Sequence, residues 1–178
     1  MLNKYVPRLR DGLTCLYKSR NFWGYICALV VCAIIALAFF HPDAIEGNQL
    51  NQYDIQQGSA NGHETKLWYE STGQRPRWTN SLFSGMPTFQ ISPSYPSDSM
   101  FRWIDTLMRA GLPAPSGLLF SMMAGFIILA ACMRLRWYYA LIGAIAWGLS
   151  SYFIIIIGAG HLWKFITLAY VPPVIGGE

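Results

Sequence analysis

Asp54, His161 and Lys164 are ionisable side chains in otherwise uncharged surroundings. Asp54 lies in Gln52-Tyr53-Asp54-Ile55-Gln56-Gln57. A carboxylate there could serve as a general base, or hold a divalent cation such as Mg or Mn. Gln56 and Gln57 beside it carry amides that can bind a sugar or phosphate group by hydrogen bonds. The structural alternative is a solvated or turn-forming aspartate. His161 and Lys164 follow a long apolar run. His161 could join the catalytic groups, and Lys164 could bind a phosphate as a point charge. Their alternative is interfacial snorkelling. Asn80 opens the stretch Asn80-Ser81-Leu82-Phe83-Ser84-Gly85-Met86-Pro87, where its amide could contact substrate. Gly and Pro there equally indicate a structural turn. The chain has no Walker motif, nucleophile elbow, His-Glu-Xaa-Xaa-His or dinucleotide fingerprint.

The elements that must position these groups are set by hydrophobicity. Hydrophobic residues make up 53% of the chain and charged residues 12%, against about 25% charged in a typical soluble domain. Residues 23–40, 117–133 and 137–157 contain no Asp, Glu, Lys or Arg. A bilayer core takes about 17–25 apolar residues in a helix. In the first run nine residues are Leu, Ile, Val or Phe, favouring insertion by about 3–5 kcal/mol. The fold class expected is an all-α polytopic membrane protein with about three transmembrane helices and the start of a fourth.

The net charge of +4 does not indicate a nucleic-acid partner. Lys4, Arg8, Arg10, Lys18 and Arg20 precede the first apolar run, and Arg134 and Arg136 fill the next turn. Both clusters obey the positive-inside rule if the N-terminus is cytoplasmic. The first run is long for a signal peptide, and Phe39-Phe40-His41-Pro42 is a poor cleavage site, so it reads as an uncleaved anchor. Cys15, Cys27, Cys32 and Cys132 lie in the tail or the apolar runs and read as small apolar fillers.

The expected organisation is a basic cytoplasmic tail at 1–22, spans at 23–40, 117–133 and 137–157, and a cytoplasmic turn at 134–136. Residues 41–116 form an extracytoplasmic loop, and 158–178 an outer turn followed by a fourth membrane segment. In the tail, Asp11 could cap a short helix. In the loop, Gly47 to Gly62 is rich in Asn, Gln and Gly, without a core of its own. Thr65 to Ser71 reads as a short helix stopped by Gly73. A second helix, capped at Ser97 or Ser99, runs to Arg109 with Phe101, Ile104, Leu107 and Met108 on one face. The fourth segment has begun where the chain stops, so the chain is expected to be the front of a longer protein or the product of a truncated gene.

The order of these features resembles the N-terminal part of YfhO-type bacterial membrane proteins. Glu46-Gly47-Asn48-Gln49-Leu50 leads to Asp54-Ile55-Gln56-Gln57, and Trp78-Thr79-Asn80-Ser81 leads through Gly85-Met86-Pro87 to Ile91. Gly148-Leu149-Ser150-Ser151-Tyr152-Phe153 and Ala159-Gly160-His161 complete the likeness. Gly158 and Leu162-Trp163 depart from the family's pattern beside the last motif. The resemblance implies a GT-C-like glycosyltransferase of the bacterial cytoplasmic membrane. Such an enzyme moves a sugar from a polyprenyl-phosphate donor to an envelope polymer or lipid at the outer face. It implies that Asp54 is the catalytic base or metal ligand and His161 a second active-site group. A fragment lacking later helices is expected to be inactive. The competing expectation is a non-catalytic transport or envelope-assembly protein whose partner is the lipid bilayer.

Overall fold

A computed structural model describes residues 20–42, 46, 50–91 and 98–177. The tail helix expected after Asp11, the Ser97 cap, Cys15 and Gly47 to Gln49 lie outside the described residues. Among the described residues the fold is all-α apart from one short hairpin. In order come α1 (Arg20–Phe39), α2 (Tyr53–Asn61), α3 (His63–Thr72), β1 (Trp78–Thr79), β2 (Met86–Pro87) and a 3₁₀ turn (Thr88–Gln90). Then follow α4 (Asp98–Met108), α5 (Ser116–Cys132), α6 (Trp137–Gly148), α7 (Ser151–Ala159) and α8 (Leu162–Gly177).

The long helices pack through α5, which touches α1, α6 and α8. Residues Ser116 to Gly125 are all buried, as are Ile127 and Ala130. A helix apolar on every side belongs inside a bundle. Its buried hydroxyls are satisfied locally: Ser116 donates to Pro113 O and Ser121 to Leu118 O, each at 2.7 Å.

Helix α1 turns small residues inward and large ones outward. Gly24, Ala28, Cys32 and Ala36, spaced four apart, form the buried stripe. Trp23, Ile26, Val30 and Ile34 face out. Helix α6 repeats the arrangement, with Ala140, Ala144 and Gly148 inside and Ile142 outside. Small residues let helix backbones approach closely, and packing gains then replace bulk hydrophobic burial. Cys32 is therefore the small filler expected, whereas Cys27 and Cys132 are exposed. The Tyr25 hydroxyl bonds to Leu135 O and ties α1 to the turn after α5.

Among the described residues, α1 is the helix long and apolar enough to cross a membrane by itself. The run at 137–157 is interrupted. Helices α6 and α7 meet at Leu149 and Ser150 with a bend of 47°. Phe153 N–H and Ile154 N–H bond to Ser150 O, at 3.0 and 3.3 Å, and start the new helix. The run at 117–133 is one helix of 17 residues. The segment from Leu162 is helical to Gly177 although Pro172 and Pro173 lie inside it.

Helix α4 orients differently from its expected apolar face. Leu107 is exposed with Trp103, while Ile104, Asp105, Met108 and Arg109 form the partly buried side. On that side Arg109 Nη2 lies 2.5 Å from Asp105 Oδ2 across one helical turn. The Arg109 stem then packs at the start of α5, 3.3 Å from where a Cβ on Gly117 would lie.

At Gly125 helix α5 meets the backbone of α8. A Cβ there would stand 2.3 Å from Ala169 O and 3.3 Å from Pro173 Cδ. Since the nearest obstacle is backbone, α8 would have to move. Gly125→Val is expected to cost about 1–3 kcal/mol through overpacking, read as a lower Tm in detergent. Gly158→Ala, where a Cβ meets nothing within 4 Å, should leave Tm nearly unchanged.

Candidate functional site

The site is built where α2 meets the corner between α7 and α8. Gln52 precedes α2 in extended backbone and is only 7% exposed. Its side-chain amide donates to Ile157 O in α7, and its own carbonyl accepts from Gln56 N–H at 3.1 Å. The corner itself is Gly160, at φ +93°. A Cβ at that position would meet Gln52 Cβ at 3.0 Å, Ile55 Cγ1 at 3.4 Å and Asp54 Cβ at 3.5 Å. Glycine is needed here twice: for the left-handed backbone and for the room it leaves α2.

This docking brings Asp54 and His161 together. Asp54 Oδ2 lies 2.9 Å from His161 Nδ1. Asp54 is in the first turn of α2, where a carboxylate also complements the helix dipole. His161 sits between the Gly160 corner and the first residue of α8. The side chains are 43% and 56% exposed, so the pair is open to an incoming molecule. The bond to Nδ1 orients the ring and leaves Nε2 facing no partner among the described residues.

The other expected residues divide. Lys164 follows His161 at the start of α8 and lies over the Tyr152 ring, 5.4 Å from its centroid. Gln56 donates to Asn51 Oδ1 at 2.5 Å and lines a shallow hollow with Ile55, Ser59, Ala60 and His63. Gln57 is exposed on α2. Asn80 belongs to a different constellation, and no bond joins it to Asp54 or His161 among the described residues. Its side-chain oxygen accepts from Trp78 Nε1 at 3.2 Å.

That second constellation centres on Glu64. The Thr79 hydroxyl donates to Glu64 Oε2, joined by Asn80 N–H at 2.9 Å and Ser81 N–H at 3.0 Å. The Ser81 hydroxyl continues to Asn61 O at 3.2 Å. One carboxylate thus anchors the β1–β2 hairpin to α3. The hairpin turn holds Phe83, Ser84 and Gly85 at positive φ, and a Cβ on Gly85 would strike the Trp78 indole at 2.8 Å. These facts account for the Asn80 to Pro87 stretch as a specific turn.

Sequence reasoning missed Gln52, Gly160 and Glu64 as positioning residues. It also took Asp54 for a loop residue, whereas α2 spans Tyr53–Asn61. None of the residues of that helix is buried, so it has no apolar stripe to reveal it. A divalent ion needs few protein ligands when substrate phosphate completes its sphere. Asp54 offers a carboxylate oxygen to such an ion, but its Oδ2 is already bonded to His161. Among the described residues no group of three His, Cys, Asp or Glu stands together. Comparison with family models, curated proteins and solved structures finds no match to this chain.

Two measurements check this geometry. Gly160→Ala should push α2 off the corner and expose the Gln52 contact, seen as faster amide exchange across residues 52–61. Separately, the Thr79 hydroxyl, with the Asn80 and Ser81 amides, holds the Glu64 carboxyl below its usual range, opposed by modest desolvation. A lowered folded pKa contributes stability above the ordinary Glu value of about 4.3, lost as pH falls through the lower folded value. The protection of the hairpin amides, relative to the intrinsic exchange rate at each pH, should therefore fall as pH drops through the lowered Glu64 value, and Glu64→Gln should remove that dependence.

Proposed function

We propose that the Asp54–His161 pair is the proton-accepting group of a glycosyl transfer at the outer face of a bacterial cytoplasmic membrane. The observation that carries the reading is the 2.9 Å contact itself. The two residues best suited to chemistry come from distant parts of the chain and meet at one exposed corner. In the proposed step an acceptor hydroxyl oxygen attacks the anomeric carbon of the donor sugar. Its proton passes to the Asp54–His161 pair. The bond from the anomeric carbon to the phosphate oxygen breaks, and polyprenyl phosphate leaves with the electron pair. Lys164, three residues beyond His161, supplies positive charge to the leaving phosphate after swinging from the Tyr152 ring. Gln56 and Gln57 on the same short helix offer amides to sugar hydroxyls. A divalent ion at Asp54, if used, would be completed by water or substrate oxygens, and no step here is routed through it.

The same reading takes α1, α5 and the bent α6–α7 pair as membrane spans with the N-terminus in the cytoplasm. Its support is the inside-out packing of α1 and α6, large apolar side chains outward and small ones inward. Lys and Arg also gather before α1 and between α5 and α6.

A non-catalytic reading also has an observation in its favour. The buried Gln52 contact shows that α2 anchors the loop to the helical bundle, which an assembly protein would equally need. The two readings separate on Asp54→Asn. That change preserves size and some hydrogen bonding but removes the base. Envelope glycan transfer should fall by about 10²-fold or more, and His161→Gln should fall comparably. Unchanged envelope glycans in the Asp54→Asn strain, by mass spectrometry, would leave the non-catalytic reading.

A further inference from the structure

A cleft among the described residues of the loop has a lining that includes neither Asp54 nor His161. It has a volume of about 520 Å³, within the usual range for small-molecule sites, about 300–1,000 Å³. One wall is the face of α3 made by Gly62, Thr65, Lys66 and Tyr69, at helical spacings of three, four and seven. The opposite wall is Arg75, Pro76 and Arg77 with Thr88 and Phe89. Gly58 and Ser59 of α2 close one side.

The walls are held by bonds that leave the cationic groups free. Thr88 N–H donates to Arg77 O at 3.1 Å, and the Thr88 hydroxyl to Pro76 O at 2.7 Å. The Thr65 hydroxyl caps back to Gly62 O at 2.7 Å. No carboxylate among the described residues pairs with Arg75 or Arg77. Lys66 reaches Glu70 only at 3.9 Å, with both side chains largely exposed, a weak pair. Glu64 points from the far side of α3, into the hairpin. The lining therefore holds cations and no acid. Arg75 lies 5.4 Å from the Tyr69 ring centroid, which positions its planar fork beside an aromatic face. Of the five Lys and Arg residues between 41 and 116, three line this one cleft.

We infer that this cleft binds a phosphorylated sugar. Arg75, Arg77 and Lys66 would take the phosphate oxygens, and Tyr69 and Phe89 the apolar face of the ring. Arginine forks match phosphate geometry and are stronger donors than neutral groups. The aromatic walls distinguish a sugar phosphate from a bare anion. At Gly58, one of the lining residues, a Cβ would meet nothing within 4 Å, so a larger side chain there fits without a clash. The inference stands apart from the transfer chemistry above, because none of its residues belongs to the Asp54–His161 pair.

The test is calorimetric titration of the full chain in phosphatidylcholine nanodiscs with glucose 1-phosphate, glucose and inorganic phosphate. Glucose 1-phosphate should bind saturably, and both other probes about tenfold more weakly or worse. Arg75→Gln with Arg77→Gln should weaken binding by about tenfold or more. Gly58→Leu should block it while improving the helix propensity of α2, so a folded protein remains available if the arginine variant does not fold. Circular dichroism verifies the fold of each. If discs doped with polyprenyl-phosphate glucose lose the signal, the head of a lipid is the natural occupant; if they keep it, a free sugar phosphate is. No saturable heat with glucose 1-phosphate overturns the site, as does equal affinity for glucose. Equal affinity for inorganic phosphate overturns the role of the aromatic walls. Binding unchanged in a folded Gly58→Leu protein places it elsewhere.

Discussion

The position of the whole candidate site depends on backbone-to-backbone contact between α5 and α8 at Gly125 and Ala169. Side chains of ordinary size would hold the two helices further apart. At this separation Phe165 and Ala169 of α8 are buried against Leu118 and Met122 of α5, with Phe153, Ile156 and Ile157 of α7 in the same cluster. That cluster fixes the corner between α7 and α8. The corner then presents Ile157 O to Gln52 and the His161 ring to Asp54. Small residues in the bundle and chemistry at its edge are thus parts of one mechanical chain.

The bend between α6 and α7 has a place in the same chain. An unbroken helix from Trp137 would carry α7 straight past the α5–α8 cluster. The 47° turn redirects it. Trp147, before the bend, and Phe153, after it, have ring centroids 5.0 Å apart, so the two pieces pack across the break. The segment between α1 and α5 is held differently, by polar contacts. Glu64 gathers donors from the hairpin and Gln52 reaches into the bundle. Polar staples suit a segment whose short helices have no buried apolar stripe.

The parts legible from sequence alone were those decided by local physics. Apolar runs without charge made α1 and α5 evident, because transfer free energy adds residue by residue. Gly73 ended α3 as expected, in left-handed backbone with its N–H on Tyr69 O. Asp54 and His161 stood out as ionisable groups in uncharged neighbourhoods. The face of α4 was misread: an apolar count placed Leu107 inward, whereas the partly buried side carries the Asp105–Arg109 pair and Leu107 is exposed. The unbroken run at 137–157 carried only Ser150 and Ser151 as a hint of its bend.

What the sequence by itself determined is a set of apolar helices, a polar segment between the first two of them, and a small number of candidate reactive side chains. Composition and spacing suffice there because each such property is summed over neighbours in the chain. The tertiary structure alone decided which candidates meet. It joined Asp54 to His161, assigned Asn80 to a turn, buried Gln52 beneath α7, and gathered Lys66, Arg75 and Arg77 around one cleft. Those outcomes depend on contacts between distant segments, through a glycine corner and a glycine helix contact whose significance appears only when the second segment is in place.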